Sequence, residues 1–289
     1  LCMINKNFED LFGGPARDSK EKITKRIRDI AKSIQVVTEE IIIKMAKHAK
    51  TITNSDKLCL AGGVALNCVA NGKLIKEGIY KDIWIQPAAG DAGGSVGAAF
   101  ALFYEKYNVN NIKRKEGVCL QKGSYWGPSY SDSEIKAYLD SFEYQYTQLE
   151  TESRNGIVAK YLSKGKIVGH FSGRLEFGPR ALGARSILGD PRNETAQSIL
   201  NLKIKFRESF RPFAPTVLEE NMNDYFELDK PSPYMLFVSD VNKDRCIIRK
   251  VGNEHDLIKI VNEKRSDLPA ITHIDYSARI QSVNHMDHS

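Results

Sequence analysis

Arg174, Arg180, Arg185 and Arg192 lie within twenty-two residues, "SGRLEFGPRALGARSILGDPRN", from Ser172 to Asn193. Gly and Pro interrupt the segment, and the apolar run "KIVGHF" leads into it. A second basic stretch, "NLKIKFRESFRPFAP" (Asn201–Pro215), adds Lys203, Lys205, Arg207 and Arg211, with Phe206, Phe210 and Phe213 between them. From Arg174 to Arg211 bases outnumber acids, so mutual neutralisation is incomplete. Guanidinium groups bind phosphate bidentately, and arginine on a bend past a strand suits that chemistry better than a solvated helix face does. Two readings follow. Bases with interleaved rings can hold single-stranded RNA through phosphate contacts and stacking. The same residues can surround a small phosphorylated ligand such as a nucleotide or an acyl phosphate.

Two glycine turns offer further sites. "AGGVALN" (Ala61–Asn67) sets Gly62 and Gly63 between an apolar strand and a helical segment, where free backbone N–H groups attract phosphate or ribose oxygens. "AAGDAGGSVGAAF" (Ala88–Phe100) repeats the pattern with Gly93, Gly94 and the carboxylate of Asp91, placed to meet a metal ion or to cap the following helix. It also contains G-x-S-x-G around Ser95, the pattern of a hydrolase nucleophile elbow. Asp190 and His273 could be nominated as its acid and base, although "PAAGDAG" separates the serine from its strand. G-x-G-x-x-G and GxxxxGK[ST] are both absent, and the six histidines form no zinc-ligand spacing. His273, in "ITHIDYSARI", stands alone beside Asp275 and Arg279.

These segments need a scaffold. Ile27, Ile30, Ile34, Val37, Ile41, Met45, Ala49 and Ile52 carry a helical period, read as an amphipathic helix covering a sheet. Strands are expected at 58–61 and 83–86, each followed by a helix, at 64–77 and 94–107; this is α/β grammar. Residues 108–130 turn polar, basic and Gly-rich and read as a linker, with a boundary near residue 120. Beyond it, a helix opens at "SYSDSEIKAYL"; helices at 153–163 and 193–203 and strands at 166–171, 215–219, 234–240, 269–274 and 278–283 make an α+β or α/β domain with a mixed sheet.

The chain has 289 residues, a net charge of +6 and a pI of about 8.9. A hydrophobic fraction of 42% permits a sizeable core, and no apolar run approaches membrane-spanning length. Five cysteines without CxxC, and no visible signal peptide, fit a reducing, cytoplasmic setting. The ends, "LCMINK" and "NHMDHS", read as those of a fragment.

Taken together, "FGGPARD", "LAGGVALNCVANGKL", "PAAGDAGGSVGAA", "GRLEFGPRALGARSIL", "KFRESFRPFAP" and "LPAITHIDYSARIQ" resemble the O-carbamoyltransferase family of nodulation-factor and antibiotic biosynthesis. The resemblance covers nearly the whole chain in the right order. It implies the C-terminal part of an actin/hexokinase-type ATPase fold over residues 1–120, followed by an α/β domain similar to threonylcarbamoyl-adenylate synthase over 121–289. The family's metal-binding histidines and the end of its second domain are then expected outside this chain. The implied reaction builds carbamoyl-adenylate from carbamoyl phosphate and ATP and passes the carbamoyl group to a hydroxyl of a small molecule. By resemblance, Arg180, Lys205 and Arg211 are catalytic, and Arg207 and Arg279 bind phosphate. Gly62, Gly63, Asn67, Gly93 and Gly94 line an adenylate pocket, and Asp91 is a ligand to a divalent metal (Fe, Zn or Mg). Arg174 and Arg185 either join the phosphate site or brace its loop.

Overall fold

The computed structural model describes residues 5–18, 21–107, 119, 121–248 and 257–285. By packing, the chain divides into two compact units, Leu1–Leu58 with Gly72–Ile83, and Cys59–Asn71 with Trp84–Ser289. The division does not fall at residue 120, and the expected linker lies largely outside the described residues.

The first unit contains α1 (Lys6–Leu11) and α2 (Lys25–Thr53). Thr24 caps α2 by accepting from the Ile27 N–H, and Asn54 ends it in the left-handed conformation. Tyr80, 5% exposed, donates to the Ala46 carbonyl at 2.8 Å. The buried Glu39 carboxylate accepts from Gln35 and from Lys73. These contacts correct the reading of α2. Its residues Ile34, Val37, Ile41, Met45 and Ile52 are exposed and cover no sheet among the described residues, because Lys73 and Tyr80 dock on the side that carries Glu39 and Ala46.

Strand β1 (Lys57–Leu60), α3 (Cys68–Lys76) and β2 (Asp82–Ile85) contribute residues to both units, and β1 pairs with β2. The helix expected at 64–77 is divided. A 3-10 turn covers Gly63–Leu66, then Asn67 leaves helical geometry and accepts the Ala70 N–H on its side chain. A short polar side chain that satisfies one of the first N–H groups of α3 makes the break favourable. Helix α4 (Ala92–Tyr107) follows β2.

The rest of the second unit is mixed α/β. Helix α5 (Asp132–Ser141) opens on a capping box between Ser131 and Glu134, and α6 (Thr151–Ser163) leads to β3 (Val168–Phe171). β3 pairs antiparallel with β4 (Arg185–Leu188), placing His170 opposite Ser186. Helix α7 (Ala196–Ile199) widens into a π-helical turn over Leu200–Ile204, so the expected 193–203 helix is shorter and partly π. β5 (Thr216–Leu218) and β6 (Val238–Asp240) follow; the strand expected at 234–240 starts late because Met235 has a φ of 54°. α8 (Leu257–Asn262) comes next. The strand expected at 269–274 is a turn. Pro269 supplies no N–H to a ladder, and the backbone bonds of His273 to Ser277 and Tyr276 close the bend.

β7 (Ser277–Arg279) pairs antiparallel with β6, and β8 (Gln281–Val283) pairs parallel with β5. Alternation along this run is the key to the site. Ala278 and Ile280, both 0% exposed, enter the core with Met222, Phe226, Val241 and Leu268. Arg279, Gln281 and Val283 line a cavity instead. Among the described residues no helix is long and apolar enough to cross a membrane.

Close packing at the start of α4 gives a test. A Cβ on Gly93 would sit 2.2 Å from the Ala88 carbonyl oxygen, whereas one on Gly94 would meet nothing within 4 Å. Gly93→Ala should therefore cost about 1–3 kcal/mol in denaturant unfolding. Gly94→Ala should be neutral or stabilise by up to about 1 kcal/mol.

Candidate functional site: a cavity walled by cations

Glu176 organises the arginine loop. Its buried carboxylate accepts from the backbone N–H of Leu182 (2.7 Å), Ala184 (2.9 Å) and Arg185 (3.2 Å), and from Arg185 Nε (2.9 Å). Arg185 Nη2 also donates to the Glu176 carbonyl at 2.9 Å. Burial alone would raise the Glu176 carboxyl. The Arg185 guanidinium and the backbone donors outweigh it and hold the group below its ordinary value. Arg174 donates to the Trp126 carbonyl and Arg192 pairs with Asp190. Arg174 and Arg185 thus brace the loop, the second of the two roles expected for them.

Between the braces, Gly178 (φ 132°) and Gly183 (φ 122°) adopt backbone that side chains rarely tolerate. Gly178 lies against Pro87 and Ala88, so a Cβ there would be in contact with both. The Leu182 carbonyl accepts from Tyr125 Oη and Gln281 Nε2, each at 2.8 Å. Held at these points, the loop presents Arg180, whose Nη2 donates to the Leu66 carbonyl at 3.1 Å. The "AGGVALN" segment and the arginine loop therefore meet within one unit.

The second basic stretch is organised by Asn201, which is 0% exposed. Its Nδ2 donates to the carbonyls of Ser209 (3.0 Å) and Arg211 (2.8 Å), and its Oδ1 accepts from Arg207 Nε at 2.7 Å. The π turn closes when the Lys205 N–H reaches the Leu200 carbonyl. Such turns insert a residue and commonly sit at functional sites.

These elements enclose a cavity of about 730 Å³ lined by Arg180, Lys205, Arg207, Arg211 and Arg279, together with Cys68, His170 and His273. Residues separated by up to 99 positions are thus brought together as five cations. Arg211 pairs with Glu208. Among the described residues Arg180, Lys205, Arg207 and Arg279 have no ion-pair partner. Burial, then the neighbouring Arg180, pushes the Arg279 guanidinium down from its ordinary value. Burial, then Arg211, does the same to Arg207. Cations that destabilise one another's charge in a part-buried cleft favour an anion between them. The arrangement can hold phosphoryl or carboxylate oxygens and stabilise charge that develops on them.

The other expected residues lie elsewhere. Gly62 and Gly63 are exposed in their turn, and Asn67 caps α3. Gly93, Gly94 and the exposed Asp91 sit at the start of α4. None of these six lines the cavity. Among the described residues no group of three His, Cys, Asp or Glu side chains could hold a metal ion, so these residues do not by themselves build the metal site expected at Asp91. Ser95 is a helical residue whose hydroxyl donates to the Ala92 carbonyl, not a serine on a tight strand-to-helix turn, and Asp190 is engaged by Arg192. Of the rings proposed to stack on RNA, Phe206 is 84% exposed, but Phe213 lies beneath Arg207 and Phe210 is part-buried. The cavity residues His170, Gln281 and Thr216 were not nominated from the sequence; the alternation of Arg279, Gln281 and Val283 was the available signal.

With this geometry in place, comparison with known proteins identifies the family. Residues 1–100 match the carbamoyltransferase N-terminus and residues 159–289 the carbamoyltransferase C-terminus. The chain belongs to the carbamoyltransferase family. An uncharacterized protein of Synechocystis sp. is 52% identical over 287 residues, 98% of this chain and 46% of that protein. Nodulation protein NolNO of Sinorhizobium fredii is 38% identical over 265 residues, 90% of this chain and 35% of that protein. Nodulation protein NolO of Bradyrhizobium diazoefficiens is 36% identical over 269 residues, 90% of this chain and 44% of that protein. The chain thus spans less than half the length of these relatives.

The Glu176 brace predicts an acid limb of stability. A carboxyl held below its ordinary value of 4.5 stabilises the fold above that pH, and the contribution is lost as pH falls through the lowered folded value. Glu176→Gln should cost about 2–4 kcal/mol at pH 7 and flatten the stability profile below about pH 4.5, measured by urea unfolding across pH.

Proposed function

We propose that the chain acts in ATP-dependent O-carbamoyl transfer, and that the arginine-lined cavity is where carbamoyl phosphate and the phosphates of ATP are held. Four cations that line the cavity and have no ion-pair partner among the described residues carry the reading. Carbamoyl phosphate, ATP and water give carbamoyl-adenylate, pyrophosphate and phosphate; the adenylate then passes its carbamoyl group to a hydroxyl of a small molecule and releases AMP. Arg180, Arg207 and Arg279 would bind the phosphate oxygens bidentately. Lys205 and Arg211, more exposed, would neutralise charge on the leaving phosphate. Fixed guanidinium groups suit this task because they need no reorganisation as the charge develops.

In the same proposal residues 1–120 belong to an ATPase-like carbamoyl-transfer part and residues 121–289 to a carbamoyl-adenylate-synthase-like part. Gly62, Gly63, Asn67, Gly93 and Gly94 would serve the adenylate in the first. The Arg180–Leu66 hydrogen bond and the seat of Gly178 on Pro87–Ala88 support a short path between the two, which would shield a hydrolysis-prone adenylate from water. A divalent cation at Asp91 would need donors beyond the described residues, and it would supply Lewis acidity toward the carbamoyl oxygen.

Pyrophosphate release should require ATP and carbamoyl phosphate together. Arg180→Ala and Lys205→Ala should each lower it about 10²–10³-fold. Arg192→Ala, which removes an arginine already paired with Asp190 outside the cavity, should leave it nearly unchanged. Equal rates in all three variants would remove the assignment.

A further inference from the structure

Among the described residues the cavity is lined by five cations and no carboxylate. The proposed reaction consumes water, so a proton must leave that water and a base must receive it. Three side chains of the wall could take a proton: Cys68, His170 and His273. A thiol must lose its own proton before it accepts another, and the Nε2 of His273 is enclosed. His170 is different. It stands on β3 opposite Ser186 of β4, and the two share one face of the strand pair and line the cavity together.

The ring of His170 is fixed in one tautomer. Its Nδ1 lies 2.7 Å from the Gly183 carbonyl oxygen, which can only accept, so Nδ1 carries the proton. Ser186 Oγ takes the Gly183 N–H at 3.1 Å, so the strand pair grips both polar groups of this glycine. The lone pair of the neutral ring is therefore on Nε2. That atom makes no hydrogen bond among the described residues, and on a part-exposed side chain it is not enclosed as the His273 nitrogen is. The neutral amide of Gln281 offers no base and is committed at both ends: Nε2 donates to the Leu182 carbonyl, and Oε1 accepts from the Thr216 hydroxyl at 3.0 Å.

We infer that His170 is the general base of the site, with Nε2 taking a proton from the water that cleaves carbamoyl phosphate. The inference rests on the carbamoyl phosphate reading of the cavity and goes beyond it by assigning the group that activates the water. In this step the water oxygen bonds to the carbamoyl carbon as its proton moves to Nε2. The bond from that carbon to the phosphate oxygen breaks, and phosphate leaves with the electron pair and takes the proton from Nε2. The products are carbamic acid and phosphate, and the imidazole returns to its starting state. As carbamate, the first product can displace pyrophosphate from ATP. Gly183 orients the base, because a ring N–H held on a fixed carbonyl aims the opposite lone pair. The cations hold the phosphate and the charge it gains, a task that leaves them no lone pair with which to take a proton.

Two measurements on the full chain test this. One is phosphate release from freshly prepared carbamoyl phosphate with ATP present, above the rate without protein; the other is calorimetric titration with carbamoyl phosphate. His170→Asn places an amide N–H where Nδ1 stands, and so keeps the bond to Gly183, but it offers no base. Its phosphate release should fall about 10²-fold or more while its affinity for carbamoyl phosphate stays that of the wild-type chain. His170→Ala carries the test if His170→Asn does not fold: its release should fall likewise, and added imidazole should restore part of it. Undiminished release in either variant, a fall in His170→Asn matched by an equal loss of affinity, or a loss in His170→Ala that imidazole leaves unchanged would overturn the inference and leave the carbamoyl phosphate reading standing. Binding without phosphate release in the wild-type chain would do the same. Failure of the wild-type chain to bind carbamoyl phosphate would remove both.

Discussion

The candidate site depends on where one carboxylate is placed. Glu176 stands within the arginine segment, and a free acid there could have neutralised the cavity. Instead it is buried, and its oxygens take three backbone N–H groups and one guanidinium, all from residues 182–185. The acid therefore shapes the loop and leaves the charge of Arg180 unopposed. Mutual repulsion among Arg180, Arg207 and Arg279 is the cost of that arrangement, and it must be borne by the surrounding fold.

The fold bears it with neutral groups. Asn201 holds Arg207 and the carbonyls of the next turn, and Gln281 and Tyr125 hold the Leu182 carbonyl. Arg279 stands on a strand whose alternate residues, Ala278 and Ile280, are wholly buried in the core. A one-residue slip of that strand would bury the guanidinium and expose the core residues, so hydrophobic burial fixes the position of the charge. At this strand the packing of the core and the placement of the charge are coupled through register.

Local physics was legible in the sequence wherever it was regular. The period of residues 27–52 marks α2, whose observed span is Lys25–Thr53, and "SYSDSE" marks the capped start of α5. What the period could not show is which side of α2 packs, because Glu39 and Ala46 face Tyr80 and Lys73 while the apolar stripe stays exposed. Breaks were hidden for a related reason. Asn67, Met235 and Pro269 interrupt expected elements through single-residue conformations and missing donors that an average over a window does not register. The charge of the arginine-rich loop suggested phosphate or nucleic acid without deciding between them. Lys205 was joined to it by the reading of the second basic stretch, whereas only the family resemblance joined Arg279. His273 was readable as a lone histidine; its contact with Ser277 is a property of the folded bend.

The most direct test of the account is a crystal structure of the chain with carbamoyl phosphate bound. The account predicts the phosphate within hydrogen-bond distance of Arg180, Arg207 and Arg279, inside the cavity that these residues line. Phosphate density at the glycine turns alone, or an empty cavity at a ligand concentration that saturates binding in solution, would contradict it.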